Sequence, residues 1–227
     1  MLQEEQKIKN PPITVGWFIY FVISILIVLL GGIYQKSDLL SIIASTFGIA
    51  YVLLIAKEKR IAFWLGAINV FTYGIVLWEQ QIYSGVIYNI FYSLPMLIYG
   101  FFIWGRASKK ENKGIRVISK RNRILLIGIS TVIIIINAII LKKMGGNQVI
   151  LDSITSILGY IGIYLMSNKY IEQWSVWIIA NLSNVILWIM LTIEDMTNLP
   201  VFLMWMIYFI NSVYGYLLWR KYNKRKV

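Results

Sequence analysis

The sequence predicts an all-α integral membrane protein that crosses the bilayer eight times. Of its 227 residues, 59% are hydrophobic and 14% are charged, against about 25% charged in ordinary soluble domains. Apolar stretches close to the roughly 20 residues of a spanning helix recur along the chain. The basic residues between them alternate in number from one connection to the next.

The first stretch, 17–34, follows a leader containing Glu4 and Glu5, and no small-residue cleavage site trails Gly31-Gly32-Ile33-Tyr34. It therefore reads as a helix and not as a signal peptide. The second and third are expected at 39–56 and 61–78. The fourth, 83–104, contains Pro95, which has no amide to donate to Phe91, so a kink or local opening is expected there. The fifth spans 124–141 and is followed by a turn at Gly145-Gly146-Asn147. The sixth, 149–167, carries Gly159 and Gly162, read as places of close helix approach. The seventh and eighth are expected at 173–193 and 199–219.

Charge turns this count into a topology. Lys and Arg number 2, 3, 8, 1 and 5 in the N-terminal tail and every second connection, and 1, 0, 2 and 0 in the intervening ones, a partition of 19 against 3. Cytoplasmic connections are the basic ones, which places both termini and the segment from Arg106 to Arg123 in the cytoplasm. The net charge of +12 thus reads as a topology signal that also meets anionic lipid heads, and no nucleic-acid partner is expected.

The chain has no Cys and no His, which removes disulfides, thiol nucleophiles and Cys/His metal sites. No Gly-rich phosphate loop is present, so the chain does not hydrolyse ATP, and neither an enzyme nor a cofactor is expected. The acids Glu58, Glu79, Glu172, Glu194 and Asp195 fall at span ends. Asp152 lies one turn into the sixth span and is either an intramembrane functional acid or an interfacial acid near Lys142 and Lys143.

Compared with itself, the chain repeats. Tyr99-Gly100, three apolar residues and Trp104 recur as Tyr214-Gly215, three apolar residues and Trp219. A shift of 110 lays Trp64 and Trp78 on Trp174 and Trp188, and a shift of 111 lays Ser45 and Gly48 on Ser156 and Gly159. The expected organisation is an N-terminal tail and extra helix (1–38), a three-helix unit (39–106), a cytoplasmic connection with a linker helix (107–148), a second three-helix unit (149–219) and a basic tail (220–227). Both units start on the same side. This is a 1+3+1+3 arrangement of parallel, SWEET-like repeats, which place a small-molecule site between the two bundles.

Polar residues at mid-depth need partners or a cavity. In the seventh span Trp174, Trp177, Asn181, Asn184 and Trp188 are spaced 3, 4, 3 and 4, one helical stripe. Asn89 and Tyr92 in the fourth span, Asn69 and Tyr73 in the third, and Tyr208 and Asn211 in the eighth repeat the pairing of carboxamide with aromatic ring. Such stripes suit a flat, uncharged or cationic ligand, stacked on the rings at about 1–3 kcal/mol each. The alternative is an interfacial belt for Trp174 and Trp188 and helix-gluing asparagines. Gln80 and Gln81 read as loop residues or as lining of the outer mouth.

From Lys57-Glu58-Lys59-Arg60 through Trp64, Asn69, Tyr73-Gly74, Asn89, Tyr92 and Tyr99-Gly100 to Trp104, the chain resembles the PnuC family of bacterial vitamin transporters. The C-terminal half does so at Trp174, Trp177, Asn181, Trp188, Asn211, Tyr214-Gly215 and Trp219. The resemblance covers about residues 40–220. It implies nicotinamide riboside uptake by facilitated diffusion across the bacterial inner membrane, with trapping by cytoplasmic phosphorylation. Relatives that carry thiamine or riboflavin supply the rival substrates, and Tyr214 joins the site residues through the shared motif. A substrate-binding subunit of an ATP-driven importer is the rival of another class. Assembly with copies of itself stays open.

Overall fold

In the computed structural model the described residues are 13–57, 59–107, 116–168 and 170–224. The N-terminal tail to Pro12, Glu58, the middle of the Arg106–Arg123 connection, Lys169 and the last three residues lie outside them. Among the described residues the fold is entirely helical, apart from an isolated bridge between Arg116 and Tyr170.

Eight helices are long and apolar enough to span a bilayer. They are α1 (Val15–Tyr34), α2 (Leu39–Ala56), α3 (Ala62–Glu79), α4 (Tyr83–Ile87, a π-helical turn Tyr88–Ser93, then Leu94–Ala107), α5 (Lys120–Lys143), α6 (Val149–Ser167), α7 (Gln173–Glu194) and α8 (Leu199–Lys224). All eight expected spans are present, within a few residues at each end. Their starts carry local signals where free N–H groups need acceptors. Thr14 accepts from Trp17, Asp38 from Ser41 and Ser119 from Asn122. The Gly145-Gly146-Asn147 turn forms as expected, with Gly145 at φ 75°.

The opening expected at Pro95 is the π-turn immediately before it. The Leu94 N–H donates to Asn89 O, five residues back, and Phe91 lies inside the widened turn. One extra residue is thereby inserted into α4, a device that recurs at functional sites.

Helix α2 packs on α3 and α8, α4 on α3 and α6, and α7 on α6 and α8. Helix α1 lies against α2 and α8, and α5 against α6. The repeated Tyr-Gly-x-x-x-Trp motif has a packing role in both copies. A Cβ on Gly100 would lie 2.3 Å from the Phe63 ring, and one on Gly215 2.2 Å from the Trp174 ring. Trp104 then meets Phe63 edge-on at 5.1 Å, as Trp219 meets Trp174 at 5.6 Å. The bare glycine lets an aromatic ring of the preceding helix slide beneath the motif's Trp.

These contacts correct the register read from the sequence. The shift of 110 paired Trp64 with Trp174 and Trp78 with Trp188, but Trp64 and Trp78 are 50% and 63% exposed on the outer face, while Trp174 and Trp188 are 4% and 0% exposed. A shift of 111 instead pairs Phe63 with Trp174 and Leu77 with Trp188, which are all buried. Tryptophan identity is a poor guide here because indoles are also favoured where a membrane meets water.

Asp152 is buried inside the bundle. It is 1% exposed and accepts from the Ser84 N–H (3.1 Å), the Gly85 N–H (2.9 Å) and the Ser156 hydroxyl (3.1 Å). It therefore caps the first turn of α4 from α6, where orphan amides and the helix dipole both favour an anion. Asn137 of α5 donates to Ser84 (3.0 Å) and Ser153 (3.1 Å) beside it. Gln80 donates to Asn198 (3.4 Å), and Gln81 offers its carbonyl to Asn147 (3.3 Å), so both serve the connections at that end.

At the other end Glu172 accepts from Arg123 (2.6 Å) and from the Ile118 N–H (3.0 Å), and Arg60 donates to Phe101 O (3.1 Å) while lying over its ring. The basic connections are thus bound down onto the helix ends.

Asp152→Ala would strand two buried amides, at about 1–3 kcal/mol for each unsatisfied group. It is expected to lower the melting temperature of the detergent-purified protein markedly, whereas Glu79→Ala, at a helix end, leaves it nearly unchanged.

Candidate functional site

Between the packed helices lies a cavity of about 70 Å³, several times the 10–15 Å³ one water needs. Its wall is built from α2 (Tyr51), α3 (Asn69, Val70, Tyr73, Leu77), Ile82, α4 (Gly85, Tyr88, Asn89, Ser93), α6 (Thr155, Ser156, Gly159, Ile163), α7 (Trp177, Ala180, Asn184, Leu187) and α8 (Met204, Trp205, Tyr208). No residue of α1 or α5 lines it, and none of the lining residues carries a formal charge.

Six of the twelve residues singled out from the sequence meet here: Asn69, Tyr73, Asn89, Trp177, Asn184 and Tyr208. The inward stripe of α7 is real, with Ile179, Leu182, Ile186 and Ile189 exposed on its opposite faces. The cavity takes only the middle of that stripe. Trp174 lies at one end, under Trp219. Trp188 stands behind the wall and donates its indole N–H to the Tyr73 hydroxyl at 2.7 Å. Asn181 donates to Tyr208 O at 3.2 Å, and Asn211 to Val52 O at 3.3 Å, so both tie helices together. Tyr92 packs edge-on against Tyr160 at 4.7 Å, and Tyr214 is 44% exposed on the outer surface.

Each asparagine on the wall is anchored by its amide to a helix carbonyl. Asn69 donates to Ala44 O (2.8 Å), Asn89 to Gly85 O (2.8 Å) and Asn184 to Ala180 O (3.0 Å). The Asn69 oxygen accepts from Tyr208 (3.4 Å). Fixed amides of this kind present a set orientation to a guest at little entropic cost.

Two glycines shape the wall in complementary ways. A Cβ on Gly66 of α3 would lie 2.8 Å from the Tyr51 ring of α2, and one on Gly162 of α6 2.8 Å from the Trp177 indole of α7. Under the 111 shift, Tyr51 corresponds to Gly162 and Gly66 to Trp177. The same two positions therefore hold ring and glycine in opposite order. Gly159 faces Tyr88 likewise and is itself on the wall, where the sequence suggested packing alone.

Sequence reasoning missed Tyr51, Tyr88, Ser93, Thr155, Ser156 and Trp205. Tyr51 and Trp205 sit in apolar runs with no carboxamide at i±3 or i±4 on their cavity face. Tyr88 and Ser93 reach the wall through the π-turn, which displaces them from the ideal helical phase. Thr155 and Ser156 were legible as small polar residues beside Gly159.

Residues 38–221 match the sequence profile of the family described as nicotinamide mononucleotide transporter. The chain belongs to that family. Within the nicotinamide mononucleotide transporter family it is similar to the nicotinamide riboside transporter PnuC of Haemophilus influenzae, 28% identical over 181 residues, 78% of this chain and 79% of the relative. It is likewise similar to that of Neisseria mucosa, 27% identical over 200 residues, 85% and 76% of the two chains. The solved structure described as the crystal structure of the vitamin B3 transporter PnuC superposes with a TM-score of 0.80 at 25% identity, covering 99% of both chains. The family is one of transporters and not of enzymes, and the eight apolar helices make this member a multi-pass membrane protein.

Gly162→Ala would push a methyl into the Trp177 indole and is expected to destabilise by about 1–3 kcal/mol. Gly128→Ala, with nothing within 4 Å, should instead stabilise slightly through helix propensity. Parallel thermal melts of the two variants check the pair.

Proposed function

We propose that the chain takes up nicotinamide riboside by facilitated diffusion across the bacterial inner membrane, and that cytoplasmic phosphorylation traps the product. One observation carries the choice of ligand: the cavity wall sets aromatic rings and asparagine amides among aliphatic residues and holds no charged side chain. A cationic pyridinium is held by ring faces without an anionic partner, and ribose hydroxyls and a carboxamide find Asn, Ser and Thr groups. A phosphate dianion would enter a desolvated space without a countercharge, at high cost. The wall therefore favours the riboside over the mononucleotide that the family's description names. Trp177, Asn69, Tyr73, Asn89, Asn184 and Tyr208 are the substrate-contacting residues in this reading. Trp188, Asn181 and Asn211 support them from behind.

The 1+3+1+3 organisation belongs to the same proposal. Exchanging α2 with α6, α3 with α7 and α4 with α8 turns each contact among these six helices into another of the same set, and the two Tyr-Gly-x-x-x-Trp motifs seat their rings alike. Parallel units related in this way put their shared cavity at the interface a carrier would open alternately. With the basic connections inward, both termini are cytoplasmic.

Binding of nicotinamide riboside, nicotinamide mononucleotide, thiamine and riboflavin to the purified chain, followed by tryptophan fluorescence, tests the reading. Saturable quenching is expected with the riboside and not with the mononucleotide; no response to the riboside overturns the proposal. Trp177→Ala should weaken riboside binding by about 5- to 150-fold, the equivalent of 1–3 kcal/mol of stacking. Riboside entry into proteoliposomes holding this chain alone, without ATP, separates a carrier from a subunit of an ATP-driven importer.

A further inference from the structure

Tyr73 holds an O–H proton that no group among the described residues accepts. Its ring is buried, its hydroxyl lies at the cavity wall, and its oxygen receives the indole N–H of Trp188 at 2.7 Å and that of Trp205 at 3.1 Å. An indole N–H only donates, whereas a phenol offers one proton and two acceptor positions. Both bonds therefore occupy lone pairs of the Tyr73 oxygen, which fills its accepting capacity and leaves its proton unused.

Four other hydroxyls of the wall are committed differently. Tyr51 donates to the Met166 sulfur (3.6 Å), Tyr208 to Asn69, Ser156 to Asp152 and Thr155 to the Asp152 carbonyl. None of them combines a saturated oxygen with a free proton.

We propose that Tyr73 is a one-way donor to the transported molecule: it takes an uncharged oxygen acceptor and rejects a donor at the same point. The two indoles fix this polarity, because a ligand N–H or O–H aimed at Tyr73 would meet an oxygen with no lone pair left. A buried mismatch of that kind discriminates strongly between otherwise similar molecules. The inference rests on the riboside reading, and nicotinamide riboside offers two sources of such an oxygen, its carboxamide carbonyl and its ribose.

The test titrates wild-type and Tyr73→Phe protein with nicotinamide riboside, with pyridinium riboside lacking the carboxamide, and with N-methylnicotinamide lacking the ribose. Tyr73→Phe is expected to weaken the riboside by about 2- to 13-fold, the net worth of one hydrogen bond. It should weaken one truncated ligand similarly and leave the other unaffected, and the unaffected ligand identifies which oxygen Tyr73 serves. Any other pattern overturns the proposal. The double variant Tyr73→Phe/Trp188→Phe removes the fully buried one of the two indole N–H groups that the single change strands, and it replaces the single variant should that one not fold. Persisting loss in the double variant supports donation to the ligand, whereas recovered affinity assigns the loss to the stranded indole and overturns it. Failure of the wild-type protein to bind the riboside would instead strike the proposed function itself.

Discussion

A transmembrane helix satisfies its own backbone, but a polar side chain on it must find a partner in the protein or open onto a cavity, since hydrocarbon offers neither donor nor acceptor. Several of the interior polar residues here meet this demand by reaching to another element. Asn69 ties α3 to α2, Asn181 ties α7 to α8, and Asn211 ties α8 to α2. Asp152 and Asn137 bring α6 and α5 onto the start of α4. Asn69 also borders the cavity, so one side chain there serves both the cohesion of the bundle and the polarity of the void.

Shape is set by a second constraint. Between helices in a bilayer there is no hydrophobic drive to associate, and close van der Waals packing has to supply the cohesion. Rings laid over bare glycines supply it here, Phe63 at Gly100 and Trp174 at Gly215, and again at Gly66, Gly159 and Gly162 along the cavity. A ring seated in such a notch has little rotameric freedom. The cavity is accordingly bounded by aromatic planes with fixed orientation.

Much of this was legible in the sequence because it depends on local patterns. Spans follow from apolar run length, and the inward face of α7 follows from the 3-4-3-4 spacing of Trp174 to Trp188. The Pro95 ring announced the opening in α4, although not that it would take the form of a π-turn. What stayed hidden depends on contacts across the fold. Nothing in the run Gln148–Ser156 reveals that Asp152 would cap a helix begun 69 residues earlier. A stripe along a helix also runs the full depth of a membrane, whereas a cavity occupies only part of it. Asn181, Trp188 and Trp174 therefore share the spacing of Trp177 and Asn184 without sharing their surroundings. The Trp64 and Trp78 matches misled by one residue, because an indole at the lipid boundary and an indole in the core look alike in sequence.

The exchange of ring and glycine between Tyr51–Gly66 and Gly162–Trp177 makes the two flanks of the cavity unequal. A chamber assembled from two identical halves would present the same surface left and right, and a flat guest could lie in it two ways with equal energy. Here one flank offers a phenol carried by α2, and the other a larger indole carried by α7. Left and right are not interchangeable, so a guest with distinct ends has a preferred heading.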